Sequence, residues 1–219
     1  MKAEKFTPIP EPTLRRLPLY LHFLKQAQKA GLLTISAPRM GKELRCDPTQ
    51  VVKDLAVTGA AGRPRVGYSI PEVVVAIEKF LGFDRDNEAF LVGAGHLGSA
   101  LLSYPSFQEY GLKIVAAFDN DPEKIGRSRS GINVIHMNKF SDMAAKLGVR
   151  IGILTTPAAK AQEVAELMVG SGIRAIWNLT PAILKLPEEI IVQQTSMVDN
   201  VAVLLQKLKT RSRANQHSS

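Results

Sequence analysis

Residues 89–98 read AFLVGAGHLG. Four apolar residues, Ala89–Val92, run into Gly93-x-Gly95-x-x-Gly98, and Leu97, Leu101 and Leu102 then recur at helical spacing. Strand, glycine turn and helix in that order are the setting a dinucleotide fingerprint requires. Gly93 allows a tight turn off the strand, Gly95 removes the Cβ that would hold the backbone away from a pyrophosphate, and Gly98 lets the helix pack against the sheet. Ala94, His96 and Leu97 complete the turn, and the helix N-terminus they lead into offers N–H groups and partial positive charge to a diphosphate. A second apolar run, Ile114–Phe118, ends in Asp119, 21 positions beyond Gly98. A carboxylate there, followed by Asn120, accepts hydrogen bonds from adenosine ribose hydroxyls and repels a 2′-phosphate. The expected ligand is NAD(H) rather than NADP(H).

From Glu88 onward the pattern alternates. Strands are expected at 89–93, 112–118, 132–135, 150–155, 174–178 and 190–194. Helices are expected at 96–110, 138–147, 158–171 and 182–186, with Pro105 breaking the first near Tyr104. This is the signature of an α/β fold, a Rossmann-type doubly wound parallel sheet covered on both faces. Ligands of such sheets sit beyond the carboxyl ends of the strands. Besides the glycine turn, those ends carry Thr155-Thr156-Pro157 and Asn178-Leu179-Thr180-Pro181. Thr155 and Thr156 could bond ribose or carboxamide groups, or could simply cap a strand end. Asn178 is expected near the nicotinamide end.

Upstream, Leu14, Leu17, Tyr20, Leu21 and Leu24 trace an amphipathic helix from Thr13 to Gly31, with Arg15 and Arg16 in its first turn. A β-prone stretch, Leu32–Ile35, precedes a helix over 37–45 that Ser36 can cap. Asp47-Pro48-Thr49-Gln50 then sets a capping side chain, a proline at N1 and a glutamine at N3, so a third helix runs from Pro48 to Val57. Two short helices joined at Arg45–Cys46 form a helix–turn–helix. The stretch 59–68, rich in glycine and holding Arg63 and Arg65, reads as a wing of two short strands around a basic loop. Thr49, Gln50 and Lys53 would face a DNA major groove, while Arg15, Arg16, Arg63 and Arg65 meet phosphates or a neighbouring minor groove. The alternative is a three-helix module used for dimer contacts. A helix over 71–80 and a linker over 82–87 lead into the sheet.

Charge supports the division. Residues 1–82 hold 13 Lys and Arg against 7 Asp and Glu, and residues 83–206 hold 11 against 13. Residues 207–219 add Lys207, Lys209, Arg211 and Arg213 with no acid. The basic first third either meets a polyanion or is a solvated surface. No apolar run approaches the ~18 residues of a membrane span. MKAEKFTPIPEPT has no apolar segment of a secretory signal, and residues 1–12 are expected to form a disordered arm. The single cysteine, Cys46, is either inert packing or a redox-sensing thiol, and the chain is expected to be cytoplasmic. Residues 196–209 form a last helix with more apolar surface than a solitary helix exposes, which points to burial against another subunit, and Arg211–Ser219 is expected to be disordered.

A small NAD-dependent oxidoreductase is the competing function. Only 25 residues follow the sixth strand, too few for a substrate domain, and no Ser–Tyr–Lys spacing or metal-ligand cluster appears. No catalytic residue and no metal are therefore expected.

Arg16-Leu17-Pro18-x-Tyr20, Lys53-Asp54-Leu55, Val66-Gly67-Tyr68, Gly93-Ala94-Gly95-His96-Leu97-Gly98, Phe118-Asp119-x-Asp121-Pro122-x-Lys124-Ile125-Gly126, Pro157-Ala158 with Ala161-Gln162, and Asn178-Leu179-Thr180-Pro181 follow one another along the chain. With these motifs in that order, residues 13–209 resemble the Rex family of bacterial redox-sensing transcriptional repressors. The resemblance implies a homodimer with C-terminal helices swapped between subunits. It also implies repression by the free or NAD⁺-bound form and release from double-stranded operator DNA by NADH. The layout it implies is a winged-helix unit over 1–82, a Rossmann NAD(H) unit over 83–195, and a swapped helix with basic tail over 196–219. The sequence has Val52 where the family usually has arginine, and Ala60-Ala61 and Arg63-Pro64-Arg65 where the wing is usually a glycine-rich basic loop preceded by aromatics.

Overall fold

The computed structural model describes residues 9–104, 106–126, 128–129 and 131–216, with backbone alone at 128–129, 197 and 212–216. Two units separate, Met1–Arg85 and Asp86–Ser219.

The first unit holds α1 (Glu11–Lys29), β1 (Thr34–Ile35), α2 (Ala37–Leu44), α3 (Pro48–Ala56), β2 (Tyr68–Ser69) and α4 (Ile70–Leu81). The leucine stripe of α1 is fully buried at Leu17, Leu21 and Leu24, against a core that includes Met40, Val51, Leu55, Ile70 and Ile77. Asp47 caps α3, accepting from the Thr49 N–H at 2.7 Å and the Gln50 N–H at 3.3 Å. Arg45, in the left-handed region at φ 53, makes the sharp turn between α2 and α3. In the wing, Arg63 and Gly67 exchange both backbone hydrogen bonds (2.7 and 2.9 Å) over Pro64 and Arg65, and Tyr68–Ser69 then pairs antiparallel with Thr34–Ile35. The wing's first strand is thus a single bridge.

The second unit comprises β3 (Asn87–Val92), α5 (His96–Leu102), α6 (Ser106–Glu109), β4 (Leu112–Asp119), β5 (Ser128–Arg129), β6 (Ile132–His136), α7 (Phe140–Leu147), β7 (Ile151–Leu154), α8 (Ala158–Gly170), β8 (Ala175–Asn178), β9 (Ile191–Gln194) and α9 (Met197–Gln216). The sheet order is β5-β6-β4-β3-β7-β8-β9, with every pair parallel except β5 against β6. Chain order reverses between β3 and β7, so the crevice for a ligand opens at their carboxyl ends. Alternation along β3 sends Phe90 and Val92 to one face, packed with Phe140 of α7 and Ala161, Ala165 and Met168 of α8. Ala89 and Leu91 go to the other, with Leu102 of α5. On the first face Phe90, Phe118 and Phe140 meet edge to face at 4.9–5.5 Å, each pair adding about 0.5–1.5 kcal/mol beyond burial.

The structure corrects three expectations. No helix forms over 182–186. The Thr180 N–H bonds Asn178 Oδ1, the Ala182 N–H bonds Thr180 Oγ1, and Gln162 of α8 pairs through its side-chain amide with both the N–H and the carbonyl of Lys185. Backbone groups that a helix would pair internally are taken by side chains, and the segment between Pro181 and Pro187 has no regular secondary structure. Secondly, α9 continues through Arg211 to Gln216, where arginine, alanine and glutamine favour a helix and no glycine or proline interrupts it, while residues 217–219 lie outside the described ones. Finally, α1 starts at Glu11, so the expected disordered arm does not extend to residues 11–12. Pro18 lies in the helix interior. The remainder of that arm, residues 1–8, lies outside the described residues, as does Pro105.

Candidate functional site

A cavity of about 570 Å³ opens at the crevice between β3 and β7. Gly93 (φ 104) and Gly95 form one wall, Phe118, Asp119 and Asn120 a second, and Thr155, Thr156 and Pro157 a third. The glycine turn is sewn in place. The Gly93 N–H bonds Phe118 O at 2.8 Å, the Thr155 N–H bonds Val92 O at 2.9 Å, and Thr155 Oγ1 donates to Gly93 O at 2.7 Å. A Cβ on Gly93 would lie 2.8 Å from the Thr155 carbonyl carbon, and one on Gly98 would collide with Gly93 O. A Cβ on Gly95 meets nothing within 4 Å. The protein's own packing thus requires glycine at 93 and 98, whereas at 95 the space is left open towards the crevice.

Asp119 ends β4 and faces back to the turn. Its Oδ2 accepts from the Ala94 N–H at 2.7 Å and its Oδ1 from the Asp121 N–H at 2.9 Å. The Lys124 ammonium stands 3.3 Å from Asp119 Oδ2 and 3.2 Å from Asp121 Oδ2. Partial burial disfavours that charge, but the two carboxylates outweigh it and raise the lysine's pKa. Thr156 differs from Thr155. Its Oγ1 is buried without a hydrogen-bond partner, an unanswered polar atom in the cavity wall. A carboxylate at one end, an apolar slot of Val92, Phe118, Met137, Pro157 and Val164, and an open glycine backbone fit an adenosine diphosphate unit.

Other expected ligand residues lie elsewhere. His96, exposed, and Leu97, half-buried, begin α5 outside the cavity lining. Asn178 is fully buried, donating to Ala182 O at 2.8 Å and Gln194 Oε1 at 2.6 Å, so its amide ties β8 to β9.

In the first unit the outward face of α3 carries Thr49, Val52 and Lys53, all exposed at helical spacing. Arg63 and Arg65 stand exposed on the wing, Arg63 within 3.5 Å of Glu72, and Arg15 is exposed and paired with Glu11 at 2.7 Å. Arg16 and Gln50 turn inward instead, onto Asp54, which is 1% exposed. That carboxylate accepts from Arg16 Nε at 2.6 Å and Nη2 at 2.9 Å, Tyr20 OH at 2.8 Å, Gln50 Nε2 at 2.8 Å and Thr13 Oγ1 at 2.9 Å. Burial pushes the Asp54 pKa up, but the hydrogen bonds from Arg16, Tyr20, Gln50 and Thr13 outweigh it and hold it at about 2. Burial and the bond to Asp54 raise the Tyr20 phenol. Exposed Arg39, Lys42 and Arg45, on α2 and at its end, add cations that the sequence reading did not single out.

A redox-sensing transcriptional repressor Rex from Bacteroides fragilis is 42% identical over 202 residues, 92% of each chain. The chain belongs to the Rex family. A Rex from Treponema denticola is likewise 42% identical, over 91% of this chain and 95% of its own. Among solved structures, RSP in complex with β-NAD⁺ and operator DNA superposes with a TM-score of 0.88 at 29% identity, covering 96% of this chain and 97% of the other. RSP in complex with β-NADH gives 0.86 at 28%, covering 96% and 99%. A "CoA binding domain" profile matches residues 84–182, and one described as "Putative DNA-binding protein N-terminus" matches residues 8–56.

Two of the motifs on which the resemblance rests, Arg16-Leu17-Pro18-x-Tyr20 and Lys53-Asp54-Leu55, thus meet each other inside the first unit. The sequence reading missed Met137, Lys160, Glu163 and Val164 in the cavity wall, and quoted Lys124 only within a motif. Periodicity marks the first turns of α8 as helical without saying which residues border a ligand.

Proposed function

We propose that this chain is a cytoplasmic, homodimeric transcriptional repressor that binds operator DNA when free or NAD⁺-bound and releases it on binding NADH. The observation that carries the nucleotide part is the cavity bounded by the open backbone at Gly95, the Asp119 carboxylate and the unpartnered Thr156 hydroxyl. The Rex relatives, similar over more than nine-tenths of the chain, support its coupling to DNA. Gly93, Ala94, Gly95, His96, Leu97 and Gly98 form the phosphate turn, Asp119 and Asn120 take the adenosine ribose, and Thr156 and Pro157 line the base end. Thr155 positions the turn and Asn178 the last strands. Thr49, Val52 and Lys53 face the major groove, with Arg15, Arg63 and Arg65 on phosphates. Arg16 and Gln50 hold α3 at its angle.

NADH and NAD⁺ differ by one charge and by ring planarity. A hundredfold preference takes about 2.7 kcal/mol, within reach of a few buried contacts that differ between a DNA-competent and an incompetent arrangement. The nicotinamide is a regulatory ligand here and not a reactant. The test is a gel shift on the promoter fragments the protein binds, at fixed total nicotinamide and varied NADH:NAD⁺. Release that follows NADH is expected, and retention regardless of the ratio refutes the reading.

The dimer rests on α9. Val198, Val201, Val203, Leu204, Leu205 and Leu208 are each more than half exposed, a continuous apolar surface that a second subunit would cover by exchange of this helix. Each leucine contributes about 1.5–3 kcal/mol when fully buried, and both subunits lose it together. The double variant Leu204→Glu/Leu208→Glu is therefore expected to sediment as a monomer and to bind its operator about a hundredfold more weakly. A dimer of unchanged stability would assign the interface elsewhere.

A further inference from the structure

The ribose end of the cavity carries mixed charge. A carboxylate offers about four acceptor positions. Three on Asp119 are filled, by the Ala94 N–H and Lys124 on Oδ2 and by the Asp121 N–H on Oδ1. One position on Oδ1 remains for a ribose hydroxyl. The Lys124 side chain is 35% exposed and lines the cavity, gripped by the two carboxylates of its own loop at 3.2 and 3.3 Å. An ammonium therefore already lines the ribose end of the cavity, its charge shared between Asp119 and Asp121.

We propose that Lys124 is a specificity-determining residue of the dinucleotide site. It is a latent 2′-phosphate ligand that Asp119, together with Asp121, neutralises, so the choice between a 2′-hydroxyl and a 2′-phosphate rests on the Asp119–Lys124 pair and not on the Asp119 carboxylate alone. This rests on the reading of the cavity as an NAD(H) site. Removing the charge of Asp119 leaves the ammonium held by the more exposed Asp121 among the described carboxylates and makes it available to a dianionic phosphate. Removing Lys124 leaves the Asp119 carboxylate unscreened and hardens rejection of the phosphate.

NADH and NADPH are titrated separately by calorimetry into the full chain and into Asp119→Asn, Lys124→Met and the double variant. Asparagine keeps an acceptor for the Ala94 N–H. Asp119→Asn is expected to shift the NADPH:NADH affinity ratio about tenfold or more towards NADPH, and adding Lys124→Met to take that gain away. Lys124→Met alone shifts the ratio about threefold or more towards NADH. A gain in Asp119→Asn that survives the loss of Lys124, or no gain at all, overturns the proposal. Where Asp119→Asn fails to fold by circular dichroism, the ratio in Lys124→Met decides alone. A wild-type chain that does not bind NADH overturns the nucleotide reading itself. Wild-type binding with a ratio indifferent to Lys124 overturns this proposal only.

Discussion

Asp54→Ala is expected to destabilise the N-terminal unit by about 3–5 kcal/mol, the cost of breaking a buried ion pair from one side. Five hydrogen bonds converge on this carboxylate from Thr13, Arg16, Tyr20 and Gln50, joining α1 to α3 across 38 positions of sequence between Arg16 and Asp54. Removing it leaves a guanidinium with a side chain 28% exposed, a buried phenol and an amide without their acceptor. Because α3 carries the residues proposed to face the groove, DNA binding is expected to fall with the unit, while NADH affinity, proposed to lie in the other unit, stays within about threefold. Thermal unfolding by circular dichroism and NADH calorimetry on the same preparation check this. An unshifted first transition would mean that the network stores no stability. The wild-type unit should also be acid-sensitive. The Asp54 pKa is about 2 when folded against 3.8 otherwise, so its contribution is complete above 3.8 and is lost as pH falls through 2. The shift corresponds to roughly 2 kcal/mol, and Asp54→Ala should abolish that part of the pH dependence.

Gly98→Ala is expected to leave a repressor that grips its operator and ignores NADH. The added Cβ collides with the Gly93 carbonyl, and Gly93 cannot retreat because Phe118 and Thr155 hold it on either side. Relief comes from pushing α5 and the glycine turn apart, which opens the backbone proposed to hold the phosphates. A displacement costing about 2.7 kcal/mol of contacts weakens NADH about a hundredfold. Calorimetry gives the affinity directly, and a gel shift with and without NADH reads the regulatory consequence. Release at the wild-type NADH concentration would refute the argument.

What the sequence made legible was whatever leaves a local trace. The six parallel strands stand within two residues of their expected positions because each is an apolar run bounded by turn residues. The glycine turn and Asp119 stand in register because their spacing is itself the motif. Less visible was where a side chain turns. Arg16 lies three positions after Thr13 and four before Tyr20, within the buried stripe of α1, and Gln50 lies four before Asp54. Those spacings carried the hint, but only the partner across the unit shows that both residues serve Asp54. Thr155 and Thr156 are indistinguishable as letters, and the backbone oxygen of Gly93 separates them. Residues 182–186 misled for the opposite reason: Ala182, Ile183, Leu184 and Leu186 look like a helix face, yet Ile183 is 90% exposed. Their backbone is claimed by Asn178, Thr180 and Gln162, and no window of local sequence contains all three.

The side-chain clasps that replace that helix bear on how the last strand is anchored. All four residues of β9 are exposed, so main-chain pairing with β8, the Gln194 amide and the bond from Trp177 to Thr195 hold it, rather than a packed core. The terminal helix departs from this seam. Its mooring is polar, a set of amide and main-chain hydrogen bonds, where the heart of the sheet is a cluster of edge-to-face rings. In the proposed dimer, movement of one subunit against the other would load this polar seam before it reached the glycine turn.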